Sequence, residues 1–435
     1  MPLLLDLAYL LACVVLSPWL AYRLVRAGRG DLMQRFGVGL GTPLPSCIWL
    51  HGSSAGEVTV LRPLVAALER DYPDTALVIS AFTATGLAQA RKLYAGHRVV
   101  PLPFDLSFVV ARFLRRFKPR LLVVAESEFW PNLIAVAHAR GVPVALVNGK
   151  MSAKSFALHA RTGLIPRALR KLDLLAAQTD EHAERLRALG VEARRVHVTG
   201  NMKYDLTHAA ASADEALALR RALGFSEHDV VVIGGSLHEG EDEALLAAFA
   251  AAREHCREAA LVIVPRYPAD AETIAERVRA LGFTATRKTA LDARAAPAPG
   301  RSGVLVVDTV GELGRLYAIA DLAFVGGSLF FRGANKGGHN LMEPAILAVP
   351  VLFGPYNFSF KETVDDLLAA RAGTLVRDAS ELTAAIVTLV CDRDARRDLG
   401  RRAREVVVTR QGATARNYAL LEELLRARPQ LPGGP

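Results

Sequence analysis

The sequence predicts an α/β protein of two doubly wound, parallel-sheet domains in tandem, preceded by a hydrophobic helix. Three observations lead there. Short apolar runs rich in β-branched residues alternate with amphipathic stretches along nearly the whole chain. The alternation stops at an Ala-rich segment near residue 209 and then begins again. A length of 435 residues with 51% hydrophobic content supplies enough apolar surface for two separate cores and excludes long-range disorder.

The elements follow in order. Pro2 to Tyr22, PLLLDLAYLLACVVLSPWLAY, is about long enough to cross a bilayer if Asp6 lies near one end. Trp19 and Tyr22 stand where interfacial aromatics belong, and Arg23, Arg26 and Arg29 follow. Residues 1–25 are therefore expected to form a membrane anchor with the rest of the chain cytoplasmic; the alternative is a helix that packs on the protein itself. The strand-like runs of the first half are Ile48–His51, Ala76–Ser80, Arg98–Leu102, Leu121–Ala125, Val142–Val147, Leu174–Ala177 and Val196–Thr199. Helical stretches such as Leu61–Arg70, Ser107–Phe117 and Glu181–Leu189 separate them. Strands that are apolar throughout belong to a sheet covered on both faces.

Residues 208–225 read as the joint between a domain over 26–207 and one over 226–402. The second set of runs is Val230–Ile233, Ala260–Val264, Phe283–Thr286, Val304–Val307, Leu322–Val325, Val349–Phe353 and Gly373–Val376. Ala290–Gly303 reads as a surface loop, and residues 403–435 as a C-terminal helix with a fraying tail. Two such domains are expected to bind a ligand at the carboxyl ends of their strands, in a cleft between them.

Composition narrows the partners. Lys and Arg number 53 against 44 Asp and Glu, a net charge of +9. That excess suits nucleic acid, an anionic membrane surface or a phosphorylated ligand. No aromatic-interleaved basic stripe or nucleic-acid motif is present, so nucleic acid is not expected. The four cysteines, Cys13, Cys47, Cys256 and Cys391, form no CxxC pair, which argues against a disulfide framework or a zinc knuckle.

Chemistry-bearing residues gather where strands end. His51-Gly52-Ser53-Ser54-Ala55-Gly56-Glu57 turns from a strand into a helix. Glu57 falls in the first helical turn, either as a simple dipole-favoured carboxylate or as a base able to take a proton from a hydroxyl. Glu126-Ser127-Glu128-Phe129-Trp130 places two carboxylates two residues apart; each either raises the other's pKa or pairs with a cation. Asn148-Gly149-Lys150-Met151-Ser152 lacks Walker spacing, so an ATP site is not expected there. Lys203, in Thr199-Gly200-Asn201-Met202-Lys203, is a surface lysine or a contact for an anion. Ile233-Gly234-Gly235-Ser236-Leu237-His238 lacks GxGxxG, yet its glycines allow backbone amides to approach a phosphate. Arg266 stands in Val264-Pro265-Arg266-Tyr267-Pro268, suited to a phosphate or carboxylate. Gly311 and Glu312 lie in the loop Asp308–Glu312. Gly326-Gly327-Ser328 and Gly337-Gly338-His339-Asn340-Leu341-Met342-Glu343-Pro344 complete the set. Pro344 marks a helix start near Glu343, whose carboxylate could accept both hydroxyls of a ribose.

Taken in order, these motifs resemble those of the 3-deoxy-D-manno-octulosonic acid (Kdo) transferases of lipopolysaccharide inner-core synthesis, over nearly the whole chain. HGSSAGE is similar to the family's H-x-x-S-x-G-E, AESEFWPN to E-T-E-L-W-P-N, and TGNMKYD to G-(S/N)-(L/M)-K-(F/Y)-D. SLHEGE, VPRYP, DTVGEL, FVGGSL, GGHNLMEP and FGPYNFSFKE resemble further family motifs. The resemblance implies a GT-B glycosyltransferase with two Rossmann-like domains, an anchor helix and no cofactor or metal. It would move Kdo from CMP-Kdo to a lipid A precursor at the cytoplasmic face of the inner membrane. Carried across, Glu57 is the catalytic base. Arg266, Gly311, Glu312, Asn340 and Glu343 surround CMP, with Ser236, His238 and Gly327 also on the donor side. His51, Ser54, Gly56, Glu126, Glu128 and Lys203 line the acceptor side.

Three places depart from the family pattern. Arg332-Gly333-Ala334-Asn335-Lys336 is extra, NGKMS stands where N-A-R-L-S is usual, and GSSAGE replaces S-V-S-V-G-E. The first bears on the nucleotide loop and the others on acceptor choice. Two other readings share the architecture: a transferase with a UDP-sugar donor, whose diphosphate would lie at the 234–240 and 326–328 loops, and a non-catalytic membrane-bound scaffold.

Overall fold

The computed structural model describes residues 5–6, 29–207, 212–300, 303–333 and 337–427. The chain divides into two compact units, one made of residues up to 206 together with those from 411 onward, the other of residues 207–410. The strands of the first unit are β1 (Cys47–His51), β2 (Ala76–Ala81), β3 (Arg98–Pro101), β4 (Pro119–Ala125), β5 (Val144–Gly149), β6 (Leu174–Ala177) and β7 (Val196–Val198). Those of the second are β8 (Val230–Leu237), β9 (Ala259–Pro265), β10 (Thr284–Arg287), β11 (Gly303–Val306), β12 (Leu322–Val325), β13 (Val351–Phe353) and β14 (Thr374–Leu375). Each run singled out in the sequence coincides with one of them.

The first sheet runs β3-β2-β1-β4-β5-β6-β7 and the second β10-β11-β9-β8-β12-β13-β14. Every pairing among the described residues is parallel. Side-chain alternation explains why the inner strands are apolar throughout. Cys47 and Trp49 enter the core under the helix Ser107–Phe117, whereas Ile48 and Leu50 enter a second core on the opposite face. Trp49 is wholly buried, and its indole N–H donates to Ser80 Oγ at 2.8 Å. Burying a side chain of that size contributes roughly 2–3 kcal/mol, and the indole bond removes the penalty for its polar atom.

The tail departs from the expected single helix. Gly412, at φ +87°, breaks the chain between the helices Arg393–Arg410 and Ala413–Ala427. The Asp205 carboxylate accepts the N–H groups of Gly412 and Thr414 at 2.7 and 2.5 Å, satisfying amides at the start of the last helix. Buried Asn417 donates to Thr199 Oγ1 at 2.9 Å, and Leu421 and Leu425 join the first unit's core. The segment read as a joint carries the helix Ala213–Ala222, closed by a Ser212–Glu215 capping box. The expected loop Ala290–Gly303 begins inside a short helix, Lys288–Asp292.

The expected N-terminal anchor lies outside the described residues, save Leu5 and Asp6. No helix among the described residues is long and apolar enough to cross a membrane. Asp6 itself is buried against the first unit. Its carboxylate accepts Ser107 N–H at 2.8 Å and Asn132 Nδ2 at 2.9 Å, and also the Ser107 hydroxyl. It thereby supplies the acceptor that the helix Ser107–Phe117 lacks from its own cap, Leu106.

Candidate active site

Chain order reverses between β1 and β4 in the first sheet, the place where open α/β sheets offer a crevice beyond the strand ends. The loops that leave those two strands carry Glu57 and Glu128. After β1 the chain turns sharply at Gly52, where a Cβ would come within 3.0 Å of the Glu57 backbone. Ser54 caps the helix Ala55–Val60, its Oγ accepting Glu57 N–H at 3.3 Å. The Glu57 side chain folds back on the same turn. Its carboxylate accepts Ser53 N–H at 2.7 Å and the Ser54 hydroxyl at 2.9 Å. Gly56 lies in the first turn with only Ser54 Oγ near the position of a Cβ.

Glu128 reaches the same turn from β4. One of its oxygens accepts from Ser53 Oγ at 2.5 Å and Trp130 Nε1 at 2.6 Å, and lies 3.3 Å from His51 Nε2. His51 is wholly buried, with Nδ1 3.0 Å from both the carbonyl and the hydroxyl of Ser80. A continuous polar chain thus runs from Trp49 through Ser80, His51, Glu128 and Ser53 to Glu57. Burial pushes Glu128 up, but donation from His51, Ser53 and Trp130 outweighs it and holds this carboxyl below the usual range. Glu57 goes the other way. Burial and then the Glu128 charge raise it, the Ser53 and Ser54 bonds offset part of the rise, and Glu126 adds to it. The result is a fixed carboxylate with raised proton affinity, the property a general base needs.

The two acidic residues that the sequence left open therefore have different partners. Glu126, at φ +55°, lies 3.1 Å from Lys203 Nζ and accepts from Asn148 Nδ2 at 3.4 Å. Lys203 accordingly meets a carboxylate within its own unit.

In the second sheet order reverses at β8, flanked by β9 and β12. The loops beyond these strands, with those after β11 and at Gly337–Glu343, surround a cavity of about 290 Å³. Ser236, Gly311, Tyr317, His339, Asn340 and Glu343 are among its lining residues. Asn340 Oδ1 accepts Met342 N–H at 3.1 Å at the start of the five-residue helix Met342–Ile346, while its Nδ2 donates to Glu343 Oε1 at 3.0 Å. Burial raises Glu343, and the Asn340 bond opposes the rise. The Tyr317 hydroxyl lies against Gly235, where a Cβ would come to 2.0 Å. That hydroxyl is buried and has no hydrogen-bond partner among the described residues. A buried orphan donor beside a carboxylate in a cavity suits a hydroxyl-bearing ligand.

Beside this cavity, His238 and His339 stack with their Nε2 atoms 3.0 Å apart. One ring must donate and the other accept, so the two rings cannot both be protonated. Burial, then His238, Arg266 and Arg332, bring His339 down to about 4; burial and then Arg332 lower His238. Arg266 makes no ion pair with a described residue, and its guanidinium lies 5.8 Å from the Tyr267 ring centroid.

Two residues expected on the donor side have other occupations. Glu312 is paired with Lys288 at 3.3 Å, accepts the Thr309 hydroxyl, and does not line the cavity that Gly311 lines. Gly327, at φ +68°, gives its N–H to Glu241 at 2.6 Å. The Glu241 carboxylate, with no exposed surface, also accepts the N–H groups of His238, Ser328 and Leu329, each at 2.9 Å. An internal anion thus fills an amide nest in the loops where the UDP-sugar alternative would place a diphosphate. Ser53, Ser80, Glu241 and Tyr317 were not singled out in the sequence. Only Glu241 left a trace, as a second carboxylate at the same strand-to-helix turn as His238. Among the described residues no three His, Cys, Asp or Glu side chains are grouped so as to hold a metal ion.

The two units, each with a parallel seven-stranded sheet, define an α/β fold of the GT-B type. UDP-GlcNAc 2-epimerase from Neisseria meningitidis bound to UDP-GlcNAc matches with a TM-score of 0.57 at 12% identity, over 88% of this chain and all of that one. A putative UDP-N-acetylglucosamine 2-epimerase from Listeria monocytogenes matches with 0.56 at 14%, over 88% and 97%. At such identities the fold alone is shared. Sequence goes further. Residues 30–206 match the family described as 3-deoxy-D-manno-octulosonic-acid transferase (kdotransferase). The 3-deoxy-D-manno-octulosonic acid transferase of Haemophilus influenzae is 32% identical over 91% of this chain and 92% of its own length. That of Bordetella pertussis is 34% identical over 96% and 99%. The chain belongs to the Kdo transferase family of glycosyltransferases.

Proposed function

We propose that this protein transfers Kdo from CMP-Kdo to a lipid A precursor, with inversion at the anomeric carbon, at the cytoplasmic face of the inner membrane. The observation that carries the reading is Glu57, a carboxylate held by Ser53 and Ser54 with its proton affinity raised by burial and by Glu128. In this mechanism the second unit holds the donor. Asn340 orients Glu343 toward the ribose hydroxyls, and the Tyr317 hydroxyl gains the partner it lacks. As CMP departs, positive charge grows on the anomeric carbon and negative charge on the phosphate, which the unpaired Arg266 guanidinium stabilises. Glu57 takes the proton of the acceptor hydroxyl as the new bond forms on the face opposite the leaving group. Lys203 and Glu126 hold the acceptor-side loops through their ion pair.

One observation weighs against a UDP-sugar donor. The Gly327 and Ser328 amides that would meet a second phosphate are engaged by Glu241, and that of Gly326 by the Gly235 carbonyl. Incubating purified protein with CMP-Kdo and a tetraacyl lipid A precursor, then weighing the products, tests the proposal. Acceptor mass increased by one or more Kdo units is expected. Unchanged acceptor, or sugar transferred from a UDP-sugar instead, would refute it.

A further inference from the structure

A second cavity, of about 420 Å³, opens in the same unit on the far side of His238 from the first. It is bounded by the β8 and β9 loops, by the helix Ala271–Ala280 and by Arg332 of the sequence's extra segment. Its lining has a particular chemistry. Tyr267 is 58% exposed and presents a ring; Thr273, Glu239 and Asp270 present a hydroxyl and carboxylates. Exposed aromatics flanked by such groups suit the apolar faces and hydroxyls of a sugar.

The arginines of this cavity differ. Arg277 is neutralised by Asp242 at 2.5 Å and Glu243 at 2.9 Å. Arg332 is not. Its Nη2 donates to the Glu239 carbonyl at 2.8 Å, and among the described residues its Nε has no hydrogen-bond partner and it forms no ion pair. The wall between the two cavities is the His238–His339 pair, and Arg266 and Arg332 both act on it electrostatically. Two guanidinium groups close to this pair, Arg266 and Arg332, thus form no ion pair with a described residue. A ligand matching both carries two separate anionic groups; a neutral sugar on one phosphate supplies only one.

We propose that this cavity is the subsite for an acidic, polyhydroxylated sugar, with Arg332 pairing with its carboxylate and Tyr267 packing on its ring. Arg266 then remains with the phosphate. This assignment rests on reading the second unit as a CMP-Kdo site and adds the residue that recognises the sugar acid. The extra segment therefore contributes to donor choice through Arg332.

Equilibrium binding of CMP-Kdo and of CMP to the full-length protein, without acceptor, tests the assignment. Wild type is expected to bind CMP-Kdo more tightly than CMP. Arg332→Met should weaken CMP-Kdo by about tenfold or more, the scale of a lost charge-assisted pair, and leave CMP within about twofold. Arg332→Lys should recover part of the loss. Tyr267→Ala, at an exposed position, should also weaken CMP-Kdo selectively, so the assignment does not hang on one loop variant. Equal losses for both ligands, no loss for either, or a wild type without preference for CMP-Kdo would overturn it. Because acceptor is absent, failure of lipid transfer is a separate result: it would refute the proposed reaction and leave the sugar subsite standing.

Discussion

Replacing Glu241 with Gln tests how the donor-side loops are held. The carboxylate divides its work evenly: one oxygen accepts His238 and Gly327 N–H, the other Ser328 and Leu329 N–H. Gln keeps one acceptor oxygen and turns an NH₂ group toward two N–H donors. Two charge-assisted bonds, each contributing roughly 1.5–3 kcal/mol, are lost. Allowing for relaxation and non-additivity, the second unit should lose about 3–5 kcal/mol. Trp49 and Trp130 lie in the first unit, and Trp19 is the remaining tryptophan of the chain. Far-UV circular dichroism during urea unfolding therefore reports on both units. Hydrogen exchange of a peptide covering residues 326–330 reports directly on the loop. The expected results are an earlier unfolding transition and faster exchange at Gly327, Ser328 and Leu329. Stability within about 0.5 kcal/mol of wild type, with those amides equally protected, would refute the internal-anion argument.

Two further outcomes follow from the same geometry. In the proposed mechanism Glu57 acts ionised, so kcat/KM should rise with pH through its raised pKa; Glu128→Gln removes a neighbouring negative charge and should move that acid limb to lower pH, and a limb unmoved or shifted upward contradicts the coupling. Tyr317→Phe removes a buried hydroxyl without a partner, so the ligand-free protein should gain about 1 kcal/mol in thermal or urea unfolding while CMP binds more weakly; unchanged CMP affinity by calorimetry would detach Tyr317 from the nucleotide.

The inner strands were legible because they are buried on both faces, which forces a continuous apolar run such as Leu121-Leu122-Val123-Val124. The turns that carry Glu57, Asn340 and Glu343 were legible because such turns concentrate glycine, serine and carboxylates in a few adjacent letters. The supporting contacts were not. Ser53 and Glu128 are 75 residues apart, and Glu241 and Leu329 are 88 apart, so no local pattern links them. The Gly326-Gly327-Ser328 run illustrates the limit. Gly327, Ser328 and Leu329 do form an amide nest, but whether a nest is open or filled depends on a side chain from another loop. The single tail helix failed for a related reason: Gly412 is tolerable in a helical pattern until Asp205 supplies the cap that makes a break favourable.

The role of Glu57 is tested most directly by one comparison on purified Glu57→Gln protein: CMP-Kdo binding by calorimetry alongside turnover with a lipid A precursor. The isosteric amide retains shape and loses the ability to take a proton, so binding should match wild type while kcat falls by ~10²-fold or more. Wild-type turnover in that variant would contradict the assignment of the base.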